Sequence, residues 1–203
     1  MGALREVIRE KSVTLHPPPA ALYAQASAFR FPALHATALA SHEPVELSES
    51  GLFASHEWTL LGCAGSQFAQ PMVDAWVEGT PPLAAAKADG GGGGGELVQA
   101  RWLSFVDGAV LGWLQRPLLA TMRLSVPRER HAHFLCRFGD SSEPRRKMQM
   151  QNKYLGFVCL VDRGGVVRWH VHGNEVPAPE ELERLAALVV RARGRRGGAG
   201  GAS

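Results

Sequence analysis

The residues of this chain best equipped for chemistry are its three cysteines and eight histidines. Cys63, Cys136 and Cys159 stand far apart and form no C-x-x-C. That excludes the signatures of a zinc ribbon and of a dithiol redox centre, both of which place two thiolates within a few residues. Each cysteine lies in an apolar segment, where a free thiol behaves as a small hydrophobe, and a reducing compartment suits three unpaired thiols. His131 with His133, and His170 with His172, are spaced by two, so each pair would share one face of a strand. Two imidazoles with no nearby cysteine are too few for a closed zinc site, and a solvated strand face is the simpler reading. Arg168 and Trp169 are adjacent, so on a strand they point to opposite faces. Trp169 then enters a core, and Arg168 either pairs with a carboxylate, Asp162 across a turn, or contacts a partner.

Six consecutive glycines, Gly90 to Gly95, lack the Lys-Ser/Thr that would end a phosphate-binding loop. Their backbone entropy suits a flexible surface connection, within an insertion spanning 81–96.

Positioning such residues requires a core, and the composition supplies one: 45% hydrophobic and 20% charged residues are values of a globular chain. No apolar run approaches the roughly 20 residues of a membrane-spanning helix, so the chain can lie on a membrane without crossing it. The net charge of +3 is small. Part of it sits in Arg191, Arg193, Arg195 and Arg196, which read as a solvated tail or as an attraction for anionic headgroups. Nucleic acid is the weaker choice, since no RNA-recognition or zinc-finger spacing accompanies the cluster.

Residues 1–46, with Arg5, Arg9, Lys11 and Arg30 and the run His16-Pro17-Pro18-Pro19, read as an irregular leader or weak organellar presequence that stays out of the core. Trp58 to Cys63 has the apolar, β-forming character of a buried strand. Pro71 suits the first turn of a helix with Met72, Val73 and Trp76 on its apolar stripe. Leu97 to Phe105 reads as a second strand, Pro117 opens or kinks a second helix, and His131 to Cys136 reads as a third strand. Asp140 to Lys147 is expected to be a loop running into a helical turn. Tyr154 to Val161 and Val166 to Val171 flank Asp162-Arg163-Gly164-Gly165, which predicts a β-hairpin. A final helix begins at Pro179, with Glu180, Glu181 and Glu183 near its positive end and Leu182, Leu185, Leu188 and Val189 on one face. The order is a βαβ half followed by a ββα half, which is thioredoxin-like: one mixed sheet flanked by helices, over residues 47–192, with a disordered basic tail at 193–203.

The stretch from Met150 to Trp169, with Asn152, Tyr154, Gly156, Leu160-Val161-Asp162, the glycine turn and Val167-Arg168-Trp169, resembles the signature of the mitochondrial ATPase complex subunit 10 family. Upstream, Gln70, Met72, Asp74 and Trp76 resemble that family's first helix, and the likeness runs from about Glu57 to Leu188. The resemblance implies a thioredoxin-like factor on the matrix face of the inner mitochondrial membrane, peripherally bound, that assembles the membrane sector of ATP synthase. Its client would be newly made subunit a (subunit 6), held before it joins the ring of c subunits. The implied activity is binding, with no cofactor, metal, nucleic acid or small-molecule substrate. Tyr154, Asp162 and Arg168 in the signature are the candidate client contacts.

The alternative is a thiol peroxidase or redox enzyme on the same fold. Such an enzyme needs a low-pKa thiolate at a helix amino terminus. The corresponding loop here is Ala64-Gly65-Ser66-Gln67-Phe68, and Gln151-Asn152-Lys153 replaces the proline that redox-active members carry before the hairpin. Cys63 is the one nearby thiol.

Overall fold

Period-two alternation in the apolar runs builds a sheet with two different faces. The computed structural model describes residues 15–24, 26–80, 98–108, 114–150 and 152–197. Among these the elements are β1 (Phe29–Arg30), β2 (Leu34–Ala38), β3 (Pro44–Leu47), β4 (Trp58–Ala64), α1 (Gln70–Glu78), β5 (Val98–Val106), α2 (Gln115–Ser125), β6 (Phe134–Phe138), α3 (Ser142–Lys147), β7 (Gly156–Asp162), β8 (Val166–Gly173) and α4 (Pro179–Gly197). Short 3-10 turns lie at Leu52–Ser55 and Arg128–His133. The strands form one sheet in the order β1-β8-β7-β4-β5-β6-β2-β3, with β4, β5 and β6 parallel and the other pairings antiparallel.

Along β4, Trp58, Leu60 and Ala64 face one core and Leu61 and Cys63 the other; along β7, Val158 and Leu160 oppose Phe157, Cys159 and Val161 in the same way. Both strands are buried on both faces, which is why they read as continuous apolar runs. The sheet order moves steadily from β4 to β5 to β6, so right-handed crossovers put α1 and α2 on one face. Both helices do pack there, with α4: Met72, Val73 and Trp76, Leu119, and Leu185 and Val189 share one cluster. The opposite face is covered by Phe31, Phe53, Met148 and Met150, from the N-terminal segment, the first 3-10 turn and the chain leaving α3. α1 lies so close to the sheet that a Cβ on Gly62 would sit 2.5 Å from Val73 Cγ1.

The expected hairpin forms, with Gly165 at φ +72° closing the turn. The final helix opens on a capping interaction, the Ala178 N–H donating to Glu181 Oε2 at 2.9 Å.

Four expectations need correction. The leader does not stay irregular to residue 46, because β1, β2 and β3 belong to the sheet and Phe31, Leu34, Leu39 and Leu47 are buried. They extend the sheet at both edges, where pairing partners distant in sequence supply the hydrogen bonds. His131 and His133 share no strand face: they lie in the 3-10 turn, and β6 begins at Phe134. His170 and His172 do not face solvent; both are buried, because the segment around His16, Tyr23 and Phe29 lies over them. The tail does not begin at 193, since α4 runs to Gly197. Ala192 and the arginines are good helix formers, and positive charge suits a helix carboxyl end. The presequence reading of 1–14 and the glycine run of the insertion lie outside the described residues.

Candidate functional site

In open α/β sheets, ligands bind beyond the carboxyl ends of the strands. Here that edge carries the loop from Gly65 to Ala69, leading from β4 into α1 with Pro71 in the first turn. A cleft of about 830 Å³ opens beside it, between α1 and α2 over β5. Its floor is Ser104, Phe105 and Val106, its walls include Gln70 and Asp74 on one side and Met122, Ser125 and Val126 on the other, and Lys153 and Tyr154 stand at its mouth.

One carboxylate organises the cleft. Asp74 Oδ1 accepts hydrogen bonds from Gln70 Nε2 at 2.7 Å and from Trp102 Nε1 at 3.0 Å. Its other oxygen meets Arg130 Nη1 at 2.9 Å, and Arg130 reaches Glu78 as well while lying over the Trp102 ring, 5.5 Å from its centroid. Gln70 and Asp74 are four apart on α1, so they share a side of the helix away from the core-facing Met72, Val73 and Trp76. The upstream motif residues Gln70, Met72, Asp74 and Trp76 therefore split into a cleft pair and a core pair. Trp102 and Arg130 were not singled out as site residues from the sequence. Nothing local marks them, since their link to Asp74 is made only by folding.

At the mouth, Tyr154 is held by an Asx turn, its N–H donating to Asn152 Oδ1 at 2.9 Å. Its ring meets Phe68 edge-on, with centroids 6.4 Å apart, and Lys153 Nζ lies 5.3 Å from the Tyr154 centroid. Phe68 is 64% exposed at the mouth.

The structure separates the three candidate client contacts into two places. Tyr154 lies before β7 and Asp162 ends it, and β7 itself spans about 20 Å at roughly 3.3 Å per step, so the two stand at opposite ends of the strand. Asp162 holds the hairpin turn: its Oδ1 accepts from the Gly164 and Val166 N–H groups at 3.0 and 3.1 Å. Its Oδ2 pairs with Arg168 Nη1 at 3.5 Å, the partner expected from the sequence. A register shift between Leu160 and Val161 places Arg168 at a bulge in β8. There its Nε and Nη2 also donate to the Tyr23 carbonyl, at 3.1 and 3.0 Å. Trp169, 1% exposed, packs edge-on against Trp76 with centroids 5.1 Å apart.

Cys63, Cys136 and Cys159 are free and buried. Cys63 is the penultimate residue of β4, on the face opposite α1 and turned away from the cleft. Burial, with Cys159 nearby, pushes its thiol well above the ordinary range. Burial raises Cys136 to about 12, and raises Cys159 further. His170 is driven the other way, down to about 4, by burial and by neighbouring His16 and His172.

Among the described residues no cluster of histidine, cysteine and carboxylate side chains is placed to hold a metal ion, and no helix is long and apolar enough to cross a membrane.

The fold defines a class, the thioredoxin-like proteins. A secreted thiol-disulfide isomerase from Corynebacterium glutamicum superposes with a TM-score of 0.51 at 11% identity, over 88% of this chain and 98% of that one. BsSco, a member of the Sco family of cytochrome c oxidase assembly proteins, superposes with a TM-score of 0.50 at 14% identity, over 82% and 94%. At these identities the likeness is one of fold. No curated protein matches the chain in sequence. The chain belongs to the ATP10 protein family, whose pattern matches residues 5–191. This is the family that the hairpin signature resembles, and it is associated with assembly of the mitochondrial ATP synthase.

Proposed function

We propose that this chain is an assembly factor of the mitochondrial ATP synthase that binds newly made subunit a before it joins the ring of c subunits. It acts by binding and not by catalysis, at the matrix side of the inner membrane. Family membership over residues 5–191 supports the assembly role. The observation that carries the binding reading is the mouth of the cleft. An aromatic pair, exposed Phe68 against Tyr154, stands where redox-active members of the fold keep their thiols, while Cys63 is buried on the other face. A thiol held well above its ordinary pKa has almost no thiolate at neutral pH, and the thiolate is the nucleophile. An exposed aromatic lip beside an open cleft suits an apolar client whose own partners have not yet arrived. Peripheral membrane contact fits the basic cluster in the sequence at 191–196.

The test is rescue. Mitochondria lacking the chain receive either the wild type or a version with Cys63, Cys136 and Cys159 all changed to Ala. Both are expected to restore assembled ATP synthase. A folded cysteine-free chain that fails to restore it would establish thiol chemistry instead.

A further inference from the structure

The inner face of α2 is committed to the fold. Leu118, Leu119 and Met122 pack against the core beneath it, and Met122 with Ser125 also walls the cleft. At 3.6 residues per turn the opposite arc is made of Pro117, Ala120, Thr121 and Leu124, and all four are exposed. A surface helix ordinarily turns charged and polar residues to water on that side. This one turns three apolar residues and a threonine. Leu124 is 90% exposed, more than any other large apolar side chain among the described residues.

The charge beside this arc is mostly of one sign. α2 carries Arg116 and Arg123 and no carboxylate, and the Arg123 guanidinium donates to the Ala40 carbonyl along the flank of the helix. Between Asp107 and Asp140 the chain sets Arg116, Arg123, Arg128, Arg130 and Arg137 against the single carboxylate Glu129. Asp74 and Glu78 of α1 take up Arg130. Arg116 and Arg128 are exposed, one near each end of the apolar arc. An apolar centre with a cationic rim is the pattern that a helix lying on an anionic bilayer presents: the arc enters the acyl boundary and the guanidiniums meet phosphates. A nucleic-acid surface would put the cations at its centre, where they reach the backbone.

We infer that the outer face of α2 is the surface by which this chain lies on a membrane, with an anionic phospholipid headgroup layer as its partner. The inference rests on the peripheral-membrane reading above and deepens it by naming the surface. Leu124 and Ala120 sit below the level of the phosphates, and Arg116 and Arg128 hold the headgroups at the two ends of the arc. Ser125 follows Leu124 by one residue, a rotation of about 100° around the helix, and it lines the cleft. A chain seated in this way opens its cleft beside the bilayer surface, where an apolar client segment leaves the lipid.

The test uses the full chain and vesicles of phosphatidylcholine, alone or mixed with phosphatidylglycerol. Binding is read by co-sedimentation, and the seating of α2 by a polarity-sensitive fluorophore on Thr121→Cys, since the three native thiols are buried. The chain is expected to sediment with the anionic vesicles and not with the neutral ones, to shift the label to the blue, and to be released by salt. Leu124→Glu should bind about tenfold more weakly at an unchanged melting temperature, and Arg116→Gln about fivefold more weakly. Ala120→Glu takes the place of Leu124→Glu if that variant does not fold. Sedimentation with anionic vesicles while the label stays unshifted overturns the inference and leaves the peripheral reading to the basic cluster at 191–196. Wild-type binding by the glutamate variant overturns it as well. So does the absence of binding to any vesicle, and subunit a that still co-purifies then leaves the assembly reading in place. A glutamate variant that binds vesicles as before but loses subunit a marks the face as a protein contact, which also overturns the inference.

Discussion

Trp169 and Arg168 are neighbours in sequence with opposite duties. The Trp169 ring is enclosed against Trp76 and its Nε1 is satisfied by Pro19, so Trp169→Ala removes both a large aromatic volume and a tether. It should cost about 3–5 kcal/mol, read as a lower midpoint in denaturant unfolding. Arg168 is partly exposed and holds Asp162 and Tyr23 O, so Arg168→Ala should cost less, about 1–3 kcal/mol, and still leave a folded chain. An Arg168→Ala melting curve as low as that of Trp169→Ala would contradict this division. His170 makes stability depend on pH. Its folded pKa of about 4 lies below the ordinary 6.5, so the neutral form is the native one. The stabilisation is complete above about pH 6.5 and is lost as pH falls toward 4, because over that window the unfolded chain takes a proton that the folded chain refuses. The loss is on the order of 3 kcal/mol at most. Unfolding midpoints measured between pH 7 and 4 should fall less steeply in His170→Phe than in the wild type; parallel slopes would contradict the burial of this imidazole.

At the scale of elements, packing of α1 on the sheet makes a sharp prediction. A Cβ at Gly62 would meet Val73 Cγ1 at 2.5 Å and Val77 Cγ2 at 2.8 Å, whereas one at Gly173 would meet none of the described residues within 4 Å. Gly62→Ala should therefore destabilise by about 1–3 kcal/mol through overpacking, and Gly173→Ala should stay within about 0.5 kcal/mol of the wild type, both by denaturant titration. Equal effects would mean that α1 does not sit where it is described. The elements legible in the sequence are those whose pattern is local. β4 and β7 announce themselves as apolar runs, the hairpin by its glycine turn, and α1 by Pro71 with Met72, Val73 and Trp76. The strands β1 to β3 are short and partly exposed, and β3 begins with Pro44, so alternation has little length in which to show. Their pairing with β8 and β6 is a fact of tertiary structure. The same reason hid the burial of His170 and His172, whose period-two spacing is equally that of a wet face until the segment around His16, Tyr23 and Phe29 is placed over it. In the cleft, Gln70 and Asp74 were visible as a motif, but Trp102 and Arg130 come from β5 and from the turn before β6, and no spacing in the sequence connects them.

At the scale of the whole molecule, the cleft lipped by Phe68 and Tyr154 opens at one end of the sheet, and the β8 edge runs along its side under the segment around His16, Tyr23 and Phe29. The thiols lie inside, away from both. A binding protein built in this way should lose its client when the lip is removed and keep its fold, because Phe68 is largely exposed and adds little to the core. The most direct measurement is the amount of newly made subunit a that co-purifies with the tagged chain from mitochondria. It should be compared between the wild type and the double variant Phe68→Ser, Tyr154→Ala, with melting temperatures of both proteins in hand. Subunit a retained by the wild type and reduced about tenfold in a variant of unchanged melting temperature, a loss of about 1.4 kcal/mol in binding, is the result the account predicts. Subunit a absent from the wild type, or recovered equally from both, would contradict it.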